Sequence, residues 1–242
     1  MGLERSAVSA YALTFSKLVS MVYLMVDDPS RERFAVDRVK QAVNEAMLDI
    51  ALDVQLIKET AIIELKTGNI VYGVDTFADN QSKRDYACPL RVVYNDANNP
   101  ALQTVSKQEL DTDPYFNWSV PARSTNYYPF KWHSDVFEHG EIGIWPPPNS
   151  DGESAPSLVG NLQVTYVAYP NPMVNDDDTP DILSAMYHEA IATRAAEIML
   201  NEGGEDDLVL AESMDNDAMS WTAKIVGDQY RNMTHYNDVS PM

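Results

Sequence analysis

Residues 30–65 read SRERFAVDRVKQAVNEAMLDIALDVQLIKETAIIEL, and the spacing of their apolar side chains changes part-way along. Val36, Val39, Val43, Met47, Ile50 and Val54 recur at steps of three and four, which stacks them on one face of an α-helix. The spacing predicts a helix over about Ser30–Gln55, with Ser30 as N-cap, although Arg33 stands where a capping box would have Glu. After it the period shortens. Ala61-Ile62-Ile63-Glu64-Leu65 is a strand candidate ending at the turn Thr67-Gly68-Asn69, which would bring Asn69–Val74 back as its partner.

Upstream, Phe15, Leu18, Val19, Val22 and Val26 predict an earlier helix, broken at Asp27-Asp28-Pro29-Ser30 because proline cannot continue the i→i−4 ladder. Downstream, Leu90–Tyr94 reads as a strand bounded by Pro89, and Ser106 with Glu109 forms a capping box over one helical turn. Three further β-rich pieces follow: Tyr128–Trp132, Gly140–Trp145 and Asn161–Tyr169. In the last, Leu162, Val164, Tyr166 and Ala168 mark the drier face. Helices return after Thr179-Pro180-Asp181, with Thr179 as cap and Pro180 in the first turn. The apolar face of that helix is Tyr187, Ile191, Ala195 and Ile198, and Gly203-Gly204 stops it. A final helix carries a stripe at Met219, Ala223, Val226, Tyr230 and Met233. This order predicts an α+β fold: an antiparallel helical layer built from both chain ends (1–56 and 178–242) around an inserted β-rich module (57–177).

The 242 residues include 17 basic and 37 acidic side chains, a formal charge of −20. That balance disfavours gripping phosphate backbones, which takes clustered Lys and Arg, and docking on anionic lipid. The longest apolar run, Leu18–Val26, falls well short of the ~20 residues a membrane span requires. It is not followed by a small-residue cleavage site. Met1-Gly2-Leu3-Glu4-Arg5-Ser6 fits the loose myristoylation pattern, a match that is common by chance. Cys88 stands alone, so no intrachain disulfide forms and a reducing place of synthesis is expected.

Motifs that carry chemistry are sparse. His188-Glu189 begins an H-E-x-x-H pattern, but Ala192 occupies the second ligand position, and His133, His139 and His235 lie far off in sequence. They read as surface histidines, and no metal is expected. Asp176-Asp177-Asp178 lacks the glycine and closing glutamate of a calcium loop, so it reads as a solvated turn. The acidic run from Glu202 to Asp217 reads as a solvated linker. Ten glycines form no phosphate-binding loop and no nucleophile elbow, so no cofactor is expected. Cys88 reads as a small buried hydrophobe. The aromatic cluster Tyr115-Phe116-Asn117-Trp118 with Tyr127-Tyr128-Pro129-Phe130-Lys131-Trp132 fits core packing or a protein contact better than base stacking, having only Arg123 and Lys131 nearby.

The layout resembles the head-to-tail adaptor (connector) proteins of tailed bacteriophages. The resemblance rests on Ala42–Ala46, Leu90–Tyr94, Val105–Asp111 and the Trp118 segment. Its strongest part is Glu141-Ile142-Gly143-Ile144-Trp145-Pro146-Pro147-Pro148 followed by Leu162-Gln163-Val164-Thr165-Tyr166-Val167-Ala168-Tyr169-Pro170. Pro180–Leu183 and Tyr187–Ala192 extend it. It implies a non-enzymatic virion protein, made in the host cytoplasm and placed at the neck of the capsid vertex. There a homo-oligomeric ring, a dodecamer in the family, would join the portal protein to tail or nozzle proteins. Genomic DNA would pass through the lumen without specific binding, and no membrane is involved. It further implies that the C-terminal segment Thr234–Met242 grips the portal, with Tyr230, His235, Tyr236 and Met242 as contacts. Another neck or tail component, such as a terminator or tube-capping protein, and a carboxylate-dependent hydrolase are the alternative readings.

Overall fold

The computed structural model describes residues 12–66, 69–73, 84–94, 101–106, 108–109, 131–134, 141–145, 160–181, 185–204 and 207–237, with only the backbone course for 131, 133, 134 and 230–237. The fold is α+β, with four α-helices and small, mostly antiparallel sheets among the described residues. The chain divides into two compact units, one of Met1–Ile57 with Pro170–Met242, the other Lys58–Tyr169.

In the helical unit, α1 (Phe15–Met25) and α2 (Val36–Asp53) come from the start of the chain, and α3 (His188–Glu202) and α4 (Leu208–Asn237) from its end. All four share one core. The predicted α2 stripe is buried except at its start: Val39, Val43, Met47, Ile50 and Val54 are covered, with Ala42, Ala46 and Ala51 between them, whereas Val36 at the first turn is exposed. α2 nevertheless begins at Val36, not Ser30, and its N-cap is Ala35. The reason lies in Asp28. Its carboxylate accepts the backbone N–H groups of Glu32, Arg33 and Phe34 at 3.0–3.1 Å, so residues 30–35 wrap around an acceptor before the helix starts. Arg31 takes φ 60° in that wrap.

α1 ends at Met25, and Asp27 turns the chain at φ 54°. Its N-terminal amides are satisfied from the other end of the chain: Phe15 N–H donates to the carbonyl of Asp178 and Ser16 N–H to that of Asp176. The Asp176–Asp178 turn is therefore structural. Asp178 accepts the N–H groups of Val174 and Asn175, and Asp176 pairs with Lys40 at 2.7 Å. Thr179 and Pro180 do not open a helix: a 3-10 turn at Ala185–Tyr187 leads directly into α3. Gly203-Gly204 does stop α3, with Gly204 at φ 109°. Of the acidic run, Glu202 ends α3 and Glu212, Asp215 and Asp217 lie on α4 rather than in a linker, while Glu205 and Asp206 lie outside the described residues.

α3 is the hub, packed by α1, α2 and α4. Ala190, Ala192, Ala195 and Ala196 are at most 1% exposed. A methyl side chain lets neighbouring backbones approach closely, so burial extends around most of the helix instead of one stripe. On α4 the covered side chains are Ala211, Ala218 and Ile225, seven residues apart, with Met214 and Trp221 half-covered. This corrects the expected stripe: Met219 is 64% exposed, and Ala223 is also exposed.

The β unit holds two sheets. In the first, β7 (Asn161–Ala168) lies between β1 (Lys58–Glu64) and β3 (Tyr86–Tyr94), both antiparallel to it. In the second, the order is β2 (Val71–Gly73), β6 (Glu141–Trp145), β5 (Lys131–Ser134), β4 (Gln103–Thr104), with β4 and β5 parallel. The expected β1–β2 hairpin is absent: β2 pairs with β6, and β1 with β7. β3 starts four residues before Leu90, so Pro89 is inside it. It is tolerated because β3 is an edge strand with register shifts beside Pro89. The same irregularity turns Ala87 inward and leaves Cys88 exposed, against the expectation of a buried thiol. Leu162, Val164, Tyr166 and Ala168 are buried as the alternation requires, and Trp132 and Trp145 are core residues. Tyr115–Trp118 and Tyr127–Phe130 lie outside the described residues. Ser106 and Glu109 do form the capping box, each side chain accepting the other's backbone N–H.

Candidate functional site

α2 and α4 both pack on α3 but touch each other little, so a groove opens between them with α3 as its floor. It encloses about 370 Å³. Asp49, Ile50 and Asp53 of α2 form one wall, Met219 and Ala223 of α4 the other, with Ala190 and Arg194 beneath. The floor is low because residue 190 is alanine.

Arg194 spans this groove. Its guanidinium donates to Asp49 of α2 at 3.2 Å and to Glu197 one turn along α3, and lies 3.9 Å from Asp215 of α4. Burial works against its charge, but the Glu197 and Asp49 carboxylates outweigh that and hold its pKa above the ordinary arginine value. The arrangement fixes three helices around one cation. It leaves Asp53 exposed on the rim.

Similar anchors tie the other helix ends. Arg38 of α2 donates to Glu202 at the end of α3 and to Glu45, and the Arg38 contact draws the Glu202 carboxyl below its usual range. Arg33 pairs with the buried Asp207 just before α4. Tyr187 donates its hydroxyl to Asp228 of α4. In the β unit, Glu59 accepts from the Tyr166 hydroxyl at 3.2 Å, with the Arg84 guanidinium 3.6 Å away. Burial foremost, then the Glu59 charge, pushes the Tyr166 hydroxyl up to about 12.

Among the described residues no three His, Cys, Asp or Glu side chains are grouped to hold a metal ion. No described helix is long and apolar enough to cross a membrane. His188 is 2% exposed, not a surface histidine, and its Nδ1 accepts the Leu13 N–H. The positions expected to contact a portal are placed only in part. Tyr230, His235 and Tyr236 lie in the last turns of α4, where the backbone alone is described, and Met242 lies outside the described residues. Sequence reasoning missed the groove itself. Its only trace was the alanine content of residues 190–196.

What remains is a helical unit whose carboxylates are spread along helices and countered by arginines, with an open apolar-acidic trough. Residues 13–233 match the family model described as SU10 adaptor protein. The chain belongs to that family. This adaptor is a structural protein of a bacteriophage virion, and its family membership implies contacts with other head and tail proteins. The curated proteins include no match to it.

Proposed function

We propose that this adaptor assembles into a closed ring, a dodecamer, that docks beneath the portal at the capsid vertex and offers a platform to the tail. The helical unit supplies the wall of the DNA exit channel. The C-terminal segment Thr234–Met242, with Tyr230, His235, Tyr236 and Met242, contacts the portal. The family match over residues 13–233 carries this reading.

Charge supports it. Each subunit bears −20, so the lumen of a ring of such chains repels the phosphates of passing DNA, which favours rapid sliding over adhesion. The same charge makes copies repel one another, so ring yield is expected to rise from low to physiological ionic strength. A fall over that range would show that repulsion is not the controlling term. The principal test mixes purified adaptor with portal particles of the same phage and images them by electron microscopy. Added ring density is the expected result, and its absence at saturating adaptor overturns the proposal. Truncation after Met233 tests the grip separately: unchanged portal binding removes the assigned role of the segment.

A further inference from the structure

The groove between α2 and α4 has a counterpart on the same unit. Among the four described helices, α1 alone has no carboxylate in its sequence. Its outward side carries Lys17 and Leu24, the latter 69% exposed, seven residues apart and therefore on one face. Arg31 extends that side: its guanidinium lies 3.5 Å from the Ser20 hydroxyl and 5.1 Å from the Tyr23 ring centre. The nearby Asp28 carboxylate is turned inward onto three backbone N–H groups. The exposed side of α1 itself is thus an aliphatic crest at Leu24 with the Lys17 cation one heptad away, while beyond the helix Arg31 is offset by the exposed Asp27 and Glu32.

The groove is its complement. Its depth is apolar, given by Ile50, Ala190, Ala218 and Met219, and its α2 wall carries Asp49 and Asp53. Asp49 is shared with Arg194, whereas Asp53 is exposed on the rim. No residue of α1 lines the groove.

We propose that the α1 ridge of one copy seats in the α2–α4 groove of the next, with Leu24 against Met219 and Ala223 and with Lys17 facing Asp53. This deepens the ring reading and rests on it. The occupant is a second copy because charge selects it: in a chain with 37 acidic against 17 basic residues, most surfaces repel one another, and the α1 helix, which has no carboxylate of its own and exposes Lys17, meeting an acidic wall is a pairing that does not. The two faces differ, so the contact is head-to-tail, the type that propagates around a closed ring.

The test uses full-length chain in a Cys88→Ser background, which removes the native exposed thiol. Leu24→Cys and Ala223→Cys are introduced singly and together, and each preparation is assembled on portal particles and treated with a short bismaleimide. On a denaturing gel the double variant is expected to give a ladder of multimers. The single variants are expected to stay monomeric, and their mixture to give dimers. Lys17→Glu in the double variant lowers the crosslinked fraction about fivefold, and Asp53→Lys in the same chain recovers it. Rings seen by microscopy without a ladder overturn this pairing of faces while the ring stands, as does a ladder insensitive to Lys17→Glu. If wild-type chain adds no ring to the portal, the ring reading and this inference fall together.

Discussion

The backbone N–H of Leu13 donates to Nδ1 of His188 at 3.0 Å, joining groups 175 positions apart in sequence. The bond requires Nδ1 to be unprotonated, so the ring proton sits on Nε2. It holds the approach to α1 against the first residue of α3. His188→Ala leaves that N–H without its acceptor at a partly buried site. The unfolding free energy is expected to fall by about 1–3 kcal/mol, read from urea titration followed by circular dichroism. An unchanged midpoint would show that the bond contributes nothing net.

Asp28 sets an acid limit on stability. Its burial favours the neutral form, but the N–H groups of Phe34, Glu32 and Arg33 outweigh this and hold its pKa below the ordinary value. A carboxyl whose folded pKa is depressed stabilises the fold above its unfolded pKa, and that stabilisation is lost as pH falls through the folded value. Asp178 and Glu202 act in the same direction. Thermal midpoints should therefore drop as pH is lowered below about 4. Asp28→Asn should melt lower than wild type at pH 7, with the gap closing in acid. A gap that widens in acid would contradict the assignment.

Gly204 adopts φ 109° and faces open space, where an added methyl group would meet no atom within 4 Å, so the backbone angle alone decides what a side chain costs there. Gly204→Ala is expected to destabilise by about 1–2 kcal/mol. Gly203→Ala differs in mechanism, because its methyl group would displace the Arg33–Asp207 pair. Comparing each with an Asp207→Asn background separates them: the Gly203 cost should shrink and the Gly204 cost should not.

Ile191 is fully buried in the first turn of α3, the helix that the other three pack upon. Ile191→Ala should cost about 2–5 kcal/mol, the upper end applying if the packed alanines around it cannot collapse into the space. The measurement is equilibrium denaturation. A loss under about 1 kcal/mol would mean that α3 is not the packing hub.

Much of the secondary structure was legible because its signals are local. The α2 stripe at Val39, Val43, Met47 and Ile50 is buried as its period requires, and the β7 alternation places Leu162, Val164 and Tyr166 inward. Local signals mislead where a distant group competes. Ser30 would cap a helix in isolation, but the Asp28 carboxylate captures the same segment first. The Met219–Val226 stripe has the right helical spacing, yet Ala211, Ala218 and Ile225 face the core, against an α3 whose alanines admit a close neighbour. His188 looks like any surface histidine until Leu13 arrives beside it.

Periodicity and turn chemistry act over four to seven residues, and for that reason the amino-acid order by itself determined the α+β class, the helices at both ends and the strands between them. Partner choice is a different matter. Whether β2 pairs with β1 or β6, which helix becomes the hub, and that a groove is left between α2 and α4 depend on contacts between segments far apart along the chain. Such contacts are decided by the free energy of the assembled core. Alanine, the residue that shapes this one, has too little hydrophobic signal to announce its place along the chain.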